Sequence, residues 1–280
     1  MIDKRSVFVL GAQDPEMREI AHVLRTLGRA YVHAAKDGLR VSPRTAYQAD
    51  RVVKLWRGLR VRQELLVPGE PAIFVECTVR GPRAEHEPVT RIDHHHPGDP
   101  GYEMPPERYL EGASLGQTLG LLEVEPTPTQ RLLAAADHCL TAAYQERCPG
   151  VDPRELLFLR ASWRARVTGR TFGDVTEGIL AAAKEARRRY DSEYRESVFL
   201  DPTENPPDLA EGAAYAGLAV RYREWFPGGP LKEMLKGADA PHIERFMARH
   251  RAGGRTVYGN PHRGYAGAYL DGSGGFTQPA

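Results

Sequence analysis

A short apolar run followed at once by a helical pattern opens the chain, and this order strongly limits its fold. Val7–Leu10 is typical of a buried strand, and the apolar residues within 17–27 recur at helical spacing until Gly28. A strand, a loop and an amphipathic helix in this order form the repeating unit of α/β proteins. The pattern therefore predicts a parallel sheet near the N terminus.

Two more strand-like runs end in acidic or histidine residues. Residues 73–77 contain Glu76 close to their end, and Val89–Ile92 leads directly into Asp93 and His94. Ligands of parallel α/β sheets gather beyond the carboxyl ends of the strands. These endings therefore predict a shared site at one edge of the sheet.

Helical patterns account for much of the remaining chain. Ser42 followed by Pro43 is typical of a helix start. The apolar face of that predicted helix comprises Ala46, Ala49, Val53 and Trp56. Further helices are predicted over residues 106–122, 129–147, 154–167, 174–190, 207–220 and 241–251.

A dense group of Pro, Gly and Asp residues at 148–153 predicts a domain boundary. We expect a metal-binding domain over residues 1–150 and a substrate-binding domain over 151–280, with short strands at 198–200, 256–258 and 265–270. The expected fold class is α/β, with an N-terminal parallel-sheet domain and a smaller C-terminal α+β domain. Residues 271–280 have the composition of a flexible tail.

Composition argues against several classes of protein. The 280 residues carry a formal net charge of +1 with acids and bases interspersed, which disfavours tight binding along a nucleic-acid backbone. The sequence has no secretory pattern and no run near the roughly 20 apolar residues that cross a bilayer, so we expect a cytoplasmic protein without a membrane partner. Three cysteines at unrelated spacings, Cys77, Cys139 and Cys148, argue against a disulfide framework and a zinc knuckle.

The motif Asp93-His94-His95-His96 ends the third strand-like run and precedes a Pro/Gly turn. Consecutive residues of a strand point to opposite faces, so a packed core would bury some of these polar groups without partners. A metal or phosphate site gives each of them a partner. The alternative is a polar loop that follows an edge strand.

Acidic residues at the other strand ends complete a possible set of metal ligands. The set comprises Asp14, Glu16, Glu76, His94 and His95, whose oxygen and nitrogen atoms suit a borderline metal such as manganese. Asp137 lies in a mostly apolar helical stretch, where a carboxylate favours a cation as its neighbour. Asp137 would otherwise cap a local turn or reach solvent.

The order and spacing of these residues resemble the motifs of the DHH phosphoesterase superfamily, which includes the RecJ nucleases and oligoribonucleases. Asp93-His94-His95 matches the namesake motif, Glu76 stands where the family has a strand-closing aspartate, and Asp137 corresponds to a later metal-binding aspartate. The first motif is a histidine and two aspartates, and its positions here are Leu10, Asp14 and Glu16. The chain therefore diverges from the family in its first and second motifs.

A glycine-rich segment, residues 259–267, lies near the end of the chain. Many members of the superfamily end in a loop of the form GGGH, followed by small residues and a glycine, that binds the substrate's phosphate. The resemblance implies phosphate binding by Gly259, His262, Arg263 and Gly267, with backbone N–H groups as an anion cradle. The alternative is a hairpin turn with a polar tip.

The resemblance implies a metal-dependent phosphoesterase. One or two divalent cations, with Mn²⁺ the expected ion, would be held by Asp14, Glu16, Glu76, His94 and Asp137. As catalytic residues, His95 would stabilise the phosphoryl group or the leaving oxygen, and Asp93 would orient an imidazole. The expected substrate is a small phosphorylated ligand, such as a nucleotide, a cyclic dinucleotide or a short oligonucleotide, because no basic run extends from 259–267. The sequence leaves open whether the protein forms a homodimer.

Two other functions stay open. Leu10 in place of the histidine, with Glu16 and Glu76 in place of aspartates, would fit a degenerate family member that binds a nucleotide or a protein partner without catalysis. A zinc hydrolase built on residues 94–96 is less favoured, because adjacent residues of a strand cannot all face one ion and no HExxH spacing is present.

Overall fold

The computed structural model describes residues 5–56, 59–62, 71–79, 89–225 and 229–270. The chain divides into two compact units, one of Met1–Met104 with Arg108–Asp137 and one of Pro105–Glu107 with His138–Ala280. This division falls between Asp137 and His138, inside a helix, whereas the composition predicted a boundary at residue 150. The tail predicted at 271–280 lies outside the described residues.

The first unit contains a seven-stranded sheet with the order β5-β4-β2-β1-β6-β7 and with β3 paired to β2. Its strands are β1 (Val7–Leu10), β2 (Tyr31–Lys36), β3 (Leu39–Arg40), β4 (Arg51–Trp56), β5 (Leu59–Arg62), β6 (Ala72–Val75) and β7 (Val89–Ile92). Its helices are α1 (Pro15–Thr26), α2 (Tyr109–Gly112), α3 (Ser114–Leu121) and the start of α4 (Pro128–Tyr144). The neighbours β2, β1, β6 and β7 are parallel, so the expected parallel sheet is present.

Both faces of this sheet carry a hydrophobic core. On one face α1 buries Met17, Ile20 and Leu24 against apolar side chains of β1 and β6. Helix α1 begins two residues before the predicted apolar pattern, because Asp14 caps its first turn and Pro15 has the fixed φ of a first helical residue. The opposite face is lined by Val9, Phe74 and other buried apolar residues.

The helix predicted to start at Ser42 is wrong. A short 3₁₀ turn, Ala46–Gln48, is followed by β4, which pairs antiparallel with β2. Val52 and Val53 are β-branched and lie opposite strand residues of β2, so the tertiary pairing prevails over the helical spacing of the apolar residues. Together with β3 and β5, this strand extends the parallel sheet with an antiparallel segment that the sequence pattern did not predict.

The second unit contains a six-stranded sheet with the order β12-β13-β11-β10-β9-β8. Its strands are β8 (Tyr190–Asp191), β9 (Glu196–Phe199), β10 (Val220–Trp225), β11 (Leu231–Lys236), β12 (Val257–Asn260) and β13 (Tyr265–Tyr269). Its helices are the end of α4, α5 (Pro153–Thr168), α6 (Phe172–Arg188), α7 (Leu209–Tyr215) and α8 (Ala240–Ala252). Only β9 and β10 are a parallel pair among the described neighbours.

The second sheet is larger than the sequence pattern predicts. The helix expected over 207–220 ends at Tyr215, and Val220 begins β10 instead. Strand β11 had no predicted counterpart. Helix α8 packs on one face through Ile243 and Phe246, while α6 and α7 cover the other face.

Cys77, Cys139 and Cys148 are buried free thiols. The Sγ atoms of Cys139 and Cys148 lie 3.2 Å apart. Cys139 interrupts α4 with φ −154° and ψ 57°.

Among the helices of the described residues, none has both the length and the apolar character needed to span a membrane.

Candidate metal centre

Three parallel strands of the first unit end at the same level. Leu10, Val75 and Ile92 are in register across β1, β6 and β7. The backbone pairing continues for one more residue, because the Gly11 N–H donates to the Val75 carbonyl at 2.9 Å and the Glu76 N–H donates to the Ile92 carbonyl at 3.0 Å. The residues that leave these strands therefore start from one edge of the sheet.

The backbone is tightly constrained where β1 and β6 end. A Cβ atom at Gly11 would lie 2.3 Å from the carbonyl oxygen of Glu76, so only glycine fits there. Glu76 itself has φ +50°, in the left-handed region that a residue with a side chain seldom adopts. Such strained residues are frequent at functional sites, because the surrounding structure must hold them in place.

Four acidic and histidine side chains converge at this edge. Glu16, Glu76, His94 and Asp137 each offer one ligand atom, and these atoms lie within 4.8 Å of one another. His94 Nε2 lies 3.2 Å from Glu76 Oε1 and 3.1 Å from Asp137 Oδ2. Three of the four are buried, whereas the Asp137 side chain keeps 28% of its exposure. We call these four residues the metal cluster.

Glu16 has a structural contact as well as a place in the metal cluster. Its Oε1 accepts a hydrogen bond at 2.9 Å from the N–H of Leu115, in the first turn of α3. The N-cap of α3 is Ala113, which has no side chain able to cap, so Glu16 replaces that function. The other oxygen of Glu16, and Oε1 of Glu76, are buried and accept no hydrogen bond from the described part of the chain.

Asp14 does not belong to the group within 4.8 Å. Its Oδ1 accepts a hydrogen bond at 2.7 Å from the N–H of Met17 and caps α1. Burial, followed by the negative charges of Asp137 and Glu76, raises the pKa of Asp14 to about 8. Of the five predicted ligands, Asp14 is thus the one that acts mainly as a helix cap.

The metal cluster is short of positive charge. Burial and then the charge of Asp137 raise the pKa of Glu16 well above its ordinary value. No described Arg or Lys forms an ion pair with Glu16 or Glu76. Three carboxylates and one imidazole suit a divalent cation of borderline softness, and the two buried oxygens without hydrogen bonds are the atoms such an ion would satisfy. The residues present therefore fit a metal.

Asp93 and His95 form a hydrogen-bonded pair beside the metal cluster. Asp93 is buried and its Oδ1 lies 2.9 Å from His95 Nδ1, while the His95 side chain is 32% exposed. Asp93 Oδ1 also accepts from the N–H groups of His94 and His95. Burial opposes its ionisation, but the hydrogen bond and the charge of His95 lower the pKa of Asp93 to about 2. Asp93 is therefore an ionised group that holds the His95 ring by one nitrogen.

Tyr47 completes this pair, and sequence reasoning missed it. Its hydroxyl lies 3.1 Å from Oδ1 and 3.0 Å from Oδ2 of Asp93 and donates to this carboxylate, and its ring centroid lies 4.4 Å from that of His96. Tyr47 lies in the 3₁₀ turn of a segment for which the pattern predicted a helix. No local signal relates position 47 to position 93, because long-range contacts place this turn beside the site: β4 pairs with β2, and the Thr78 N–H donates to the Ala46 carbonyl at 3.2 Å.

Asp99 shapes the histidine loop and was also missed as a site residue. Its Oδ2 accepts from the N–H of His95 at 3.1 Å and from the N–H of His96 at 2.7 Å. The Pro97-Gly98-Asp99 sequence was the available signal, since Asp commonly accepts from the backbone of a turn. His96 is thereby held near Asp99 and outside the metal cluster.

The glycine-rich segment of the second unit is a β-hairpin. Gly259 pairs with Ala266 and Gly267 pairs with Tyr258, in β12 and β13. A Cβ atom at Gly267 would lie 2.5 Å from the Tyr258 ring, and one at Gly259 would lie 2.5 Å from the Tyr265 carbonyl. Both glycines are explained by close strand packing, which differs from the expected contact with phosphate.

The backbone of the hairpin turn does not offer the expected anion cradle at its two basic residues. The N–H groups of His262 and Arg263 donate to Asn260 Oδ1, at 2.9 Å and 3.2 Å. The cause is local, because an Asn side chain competes for the turn's N–H groups. Arg263 Nε donates to the His138 carbonyl at 3.1 Å.

His262 and Arg263 nevertheless line a cavity of the second unit. Its volume is about 430 Å³, within the range of small-molecule sites. Its basic and acidic lining residues are Arg147, Arg195, Asp239, His242, His262 and Arg263. Three arginines against one aspartate suit an anionic ligand, although Arg147 also pairs with Glu107 and Arg195 pairs with Asp239.

Comparison with known proteins does not assign the chain to a family. A scan against protein-family models and a search of curated proteins each give no match.

Proposed function

We propose that this protein is a metal-dependent phosphoesterase with a single divalent cation held by Glu16, Glu76, His94 and Asp137. The observation that supports this function is the convergence of these four side chains within 4.8 Å, with two buried oxygens left without hydrogen bonds. A bound divalent cation such as Mn²⁺ supplies Lewis-acid polarisation of a phosphoryl oxygen and makes a water molecule more acidic.

The remaining chemistry belongs to the protein's own side chains. Asp93 holds His95 through Nδ1, which orients the ring. The other ring nitrogen of His95 can then donate a hydrogen bond or a proton to the oxygen that leaves phosphorus. The deep burial of Asp93 and its three N–H donors keep this geometry fixed.

A single cation is favoured over two. Leu10 replaces the histidine of the first DHH motif, and its side chain is buried in the apolar core. One carboxylate oxygen of Asp14 caps α1, and one carboxylate oxygen of Glu16 caps α3. The residues left to coordinate a metal are therefore enough for one site. The proposal therefore keeps the resemblance to the DHH superfamily, but with one metal site instead of two.

The proposed substrate is a small phosphorylated molecule, such as a nucleotide, a cyclic dinucleotide or a short oligonucleotide. His262 and Arg263, in the cavity of the second unit, are the proposed contacts for its anionic part. A net charge of +1 with interspersed acids supports a small ligand rather than a long polymer, which needs many phosphate contacts.

Binding without catalysis is the second candidate function. It is favoured by the same departures, namely the core position of Leu10 and the capping role of Glu16. Such a protein would bind a nucleotide or a partner protein through a site that lacks full coordination of the metal.

Metal content and turnover, measured on one preparation, decide between the two functions. The protein is stripped with a chelator and reloaded with Mn²⁺, and metal per chain is measured by mass spectrometry beside hydrolysis of bis(p-nitrophenyl) phosphate. We expect one bound ion and turnover. His95→Ala should retain the metal and lose turnover, while His22→Ala, at an exposed position of α1, is the matched control. Bound metal without turnover supports the binding protein, and absence of bound metal overturns the phosphoesterase.

A further inference from the structure

Two of the three cysteines lie against each other in the second unit. The Sγ atoms of Cys139 and Cys148 are 3.2 Å apart, although these residues are nine positions apart in the chain. Carbon atoms in van der Waals contact lie about 3.5 to 4.0 Å apart, and sulfur is larger than carbon. The two thiols are therefore closer than an ordinary packing contact, and only a small further approach separates them from a bond.

A reversal of the chain at the end of α4 places the two sulfurs together. The N–H groups of Glu146 and Arg147 donate to carbonyls three and five positions earlier, at 3.2 Å and 3.0 Å, and Glu146 has φ +61°. These two bonds around a left-handed residue are the features of a Schellman motif, which ends a helix and turns the chain. Cys148 follows this turn directly and thereby comes beside Cys139.

The cavity of the second unit gives access to one of the two thiols. Its lining includes Cys139 but not Cys148, and both residues are otherwise buried, with 5% and 2% of their surfaces exposed. A volume of about 430 Å³ admits a small oxidant such as hydrogen peroxide. An oxidant in the cavity therefore meets Cys139 first.

The third cysteine provides a comparison within the same chain. Cys77 is buried in the core of the first unit, where its thiol donates to the Val9 carbonyl at 3.3 Å. A buried thiol of this kind behaves as a small apolar side chain, so packing explains it. Two thiols in contact can in addition form a bond with each other.

We propose that Cys139 and Cys148 are a redox modification site, at which a peroxide converts the two thiols into a reversible disulfide. The sulfur of Cys139 attacks one oxygen of hydrogen peroxide, the O–O bond breaks, and a water molecule leaves a sulfenic acid on Cys139. The sulfur of Cys148 then displaces the hydroxyl group as a second water molecule, and the S–S bond forms. Each sulfur loses one electron, the peroxide gains both, and the two thiol protons leave in the water.

The disulfide would stabilise one wall of the cavity. Thr141, Gln145 and Arg147 lie between the two cysteines in the chain and line the cavity. A bond across this segment restricts the unfolded chain and opposes local opening of the folded one. This modification is independent of whether the protein hydrolyses phosphate.

The reaction should be slow. The hydrogen bond with Cys148, and then burial, raise the pKa of Cys139. Because the thiolate is the form that attacks, we expect oxidation over minutes to hours.

The first test counts the thiols of the folded protein before and after treatment with excess hydrogen peroxide. Catalase ends the reaction, and the protein is then unfolded, alkylated and digested for mass spectrometry. We expect three alkylated cysteines before treatment, and afterwards Cys77 alone, with 139 and 148 joined and two hydrogen atoms lost. Dithiothreitol added to the folded protein should restore all three. An unchanged thiol count, a bond between two chains, or a bond that dithiothreitol does not reduce would overturn the proposal.

Single variants test the order of the two steps. Cys148→Ala removes the second thiol, so the sulfenic acid should remain on Cys139 and react with dimedone. Cys139→Ala should leave Cys148 without dimedone, because Cys148 does not line the cavity. Cys77→Ala is the matched control and should form the disulfide like the unaltered protein. Dimedone on Cys148 rather than Cys139 would overturn the proposed order. If Cys148→Ala does not fold, Cys148→Ser keeps the size of the side chain and takes its place.

A stability measurement tests the effect on the cavity wall. The melting temperature of the oxidised protein should exceed that of the reduced protein by about 5 °C, in the unaltered chain and in Cys77→Ala. Hydrogen exchange of residues 140–147 should slow in the same samples. Cys148→Ala should show neither change after peroxide treatment, and an equal rise of its melting temperature would assign the effect to another oxidised group and overturn the proposal.

Discussion

Buried carboxylates occur in both units, but they have different partners. In the second unit Glu211 accepts from Arg160 at 2.6 Å and Glu196 accepts from Arg221 at 2.6 Å. In the first unit Glu16 and Glu76 face other acids and His94. The second unit therefore neutralises its buried acids from within, whereas the metal cluster does not.

The pKa shifts follow the same division. Although burial opposes ionisation of Glu211, the charge of Arg160 lowers its pKa. Burial also opposes ionisation of Glu233, but its hydrogen bond to Arg223 lowers its pKa. Glu16 and Asp14 shift upward, because burial acts together with neighbouring negative charges. A buried acid paired with an arginine has its charge balanced within the fold. Buried acids that face one another need a cation or a proton to balance their charges.

The largest expected effect tests the metal cluster directly. Asp137→Asn keeps the shape of the side chain but removes a charge from the group around His94. We expect turnover to fall by more than about 100-fold, since even residues that only support metal ligands cost 10- to 100-fold. Hydrolysis of a phosphodiester and metal content check this. Glu125→Gln, an exposed acid of the same unit, should change neither.

The second prediction concerns the paired acids. Glu211→Gln leaves Arg160 without its charged partner, whereas Arg164 keeps its ion pair with Asp208, so the free energy of unfolding should fall by about 3 kcal/mol, while metal content stays the same. Urea denaturation measures the loss, and Glu177→Gln on the exposed side of α6 serves as its control. Reduced metal content with unchanged stability would contradict the division between the two units.

The third prediction sharpens the role of the ionised acid beside the metal cluster. Tyr47→Phe removes the hydroxyl that donates to both oxygens of Asp93. Turnover should fall about 10-fold with metal content unchanged, because only the orientation of His95 is loosened. Tyr194→Phe, at an exposed position, is the control, and unchanged kinetics in Tyr47→Phe would make this tyrosine a packing residue.

The smallest expected effect is on the pH dependence of stability. The pKa of Asp14 is about 8 in the folded protein, whereas it is 3.8 in an unfolded chain. Raising the pH between these values therefore destabilises the metal-free fold. The melting temperature without metal should fall by a few degrees from pH 6 to pH 8, and Mn²⁺ should raise it more at pH 8.

Asp14→Asn supplies the control for this pH dependence. Asn caps a helix nearly as well as Asp, so the substitution removes the titrating group while keeping the start of α1. The slope of melting temperature against pH should flatten. An equally steep slope would place the proton on another group.

Local patterns predicted those elements whose residues interact within a few positions of one another. Strand β1 and helix α1 follow from apolar spacing. Helices α5, α6 and α8 lie within one or two residues of their predicted bounds. The segment after Ser42 failed because its apolar spacing fits a helix, while its pairing with β2 makes it a strand.

The sequence by itself determined that acids and histidines would follow the ends of parallel strands, because strand period and the direction of parallel pairing are local properties. Only the tertiary structure decided which acid lies in the metal cluster and which one caps α1. Asp14 and Glu16 are two residues apart, yet one bonds within α1 and the other reaches α3. Tyr47 and Asp93 come together for the same reason. They are 46 residues apart in the chain and strand pairing brings them into contact, so no short window of sequence predicts this hydrogen bond.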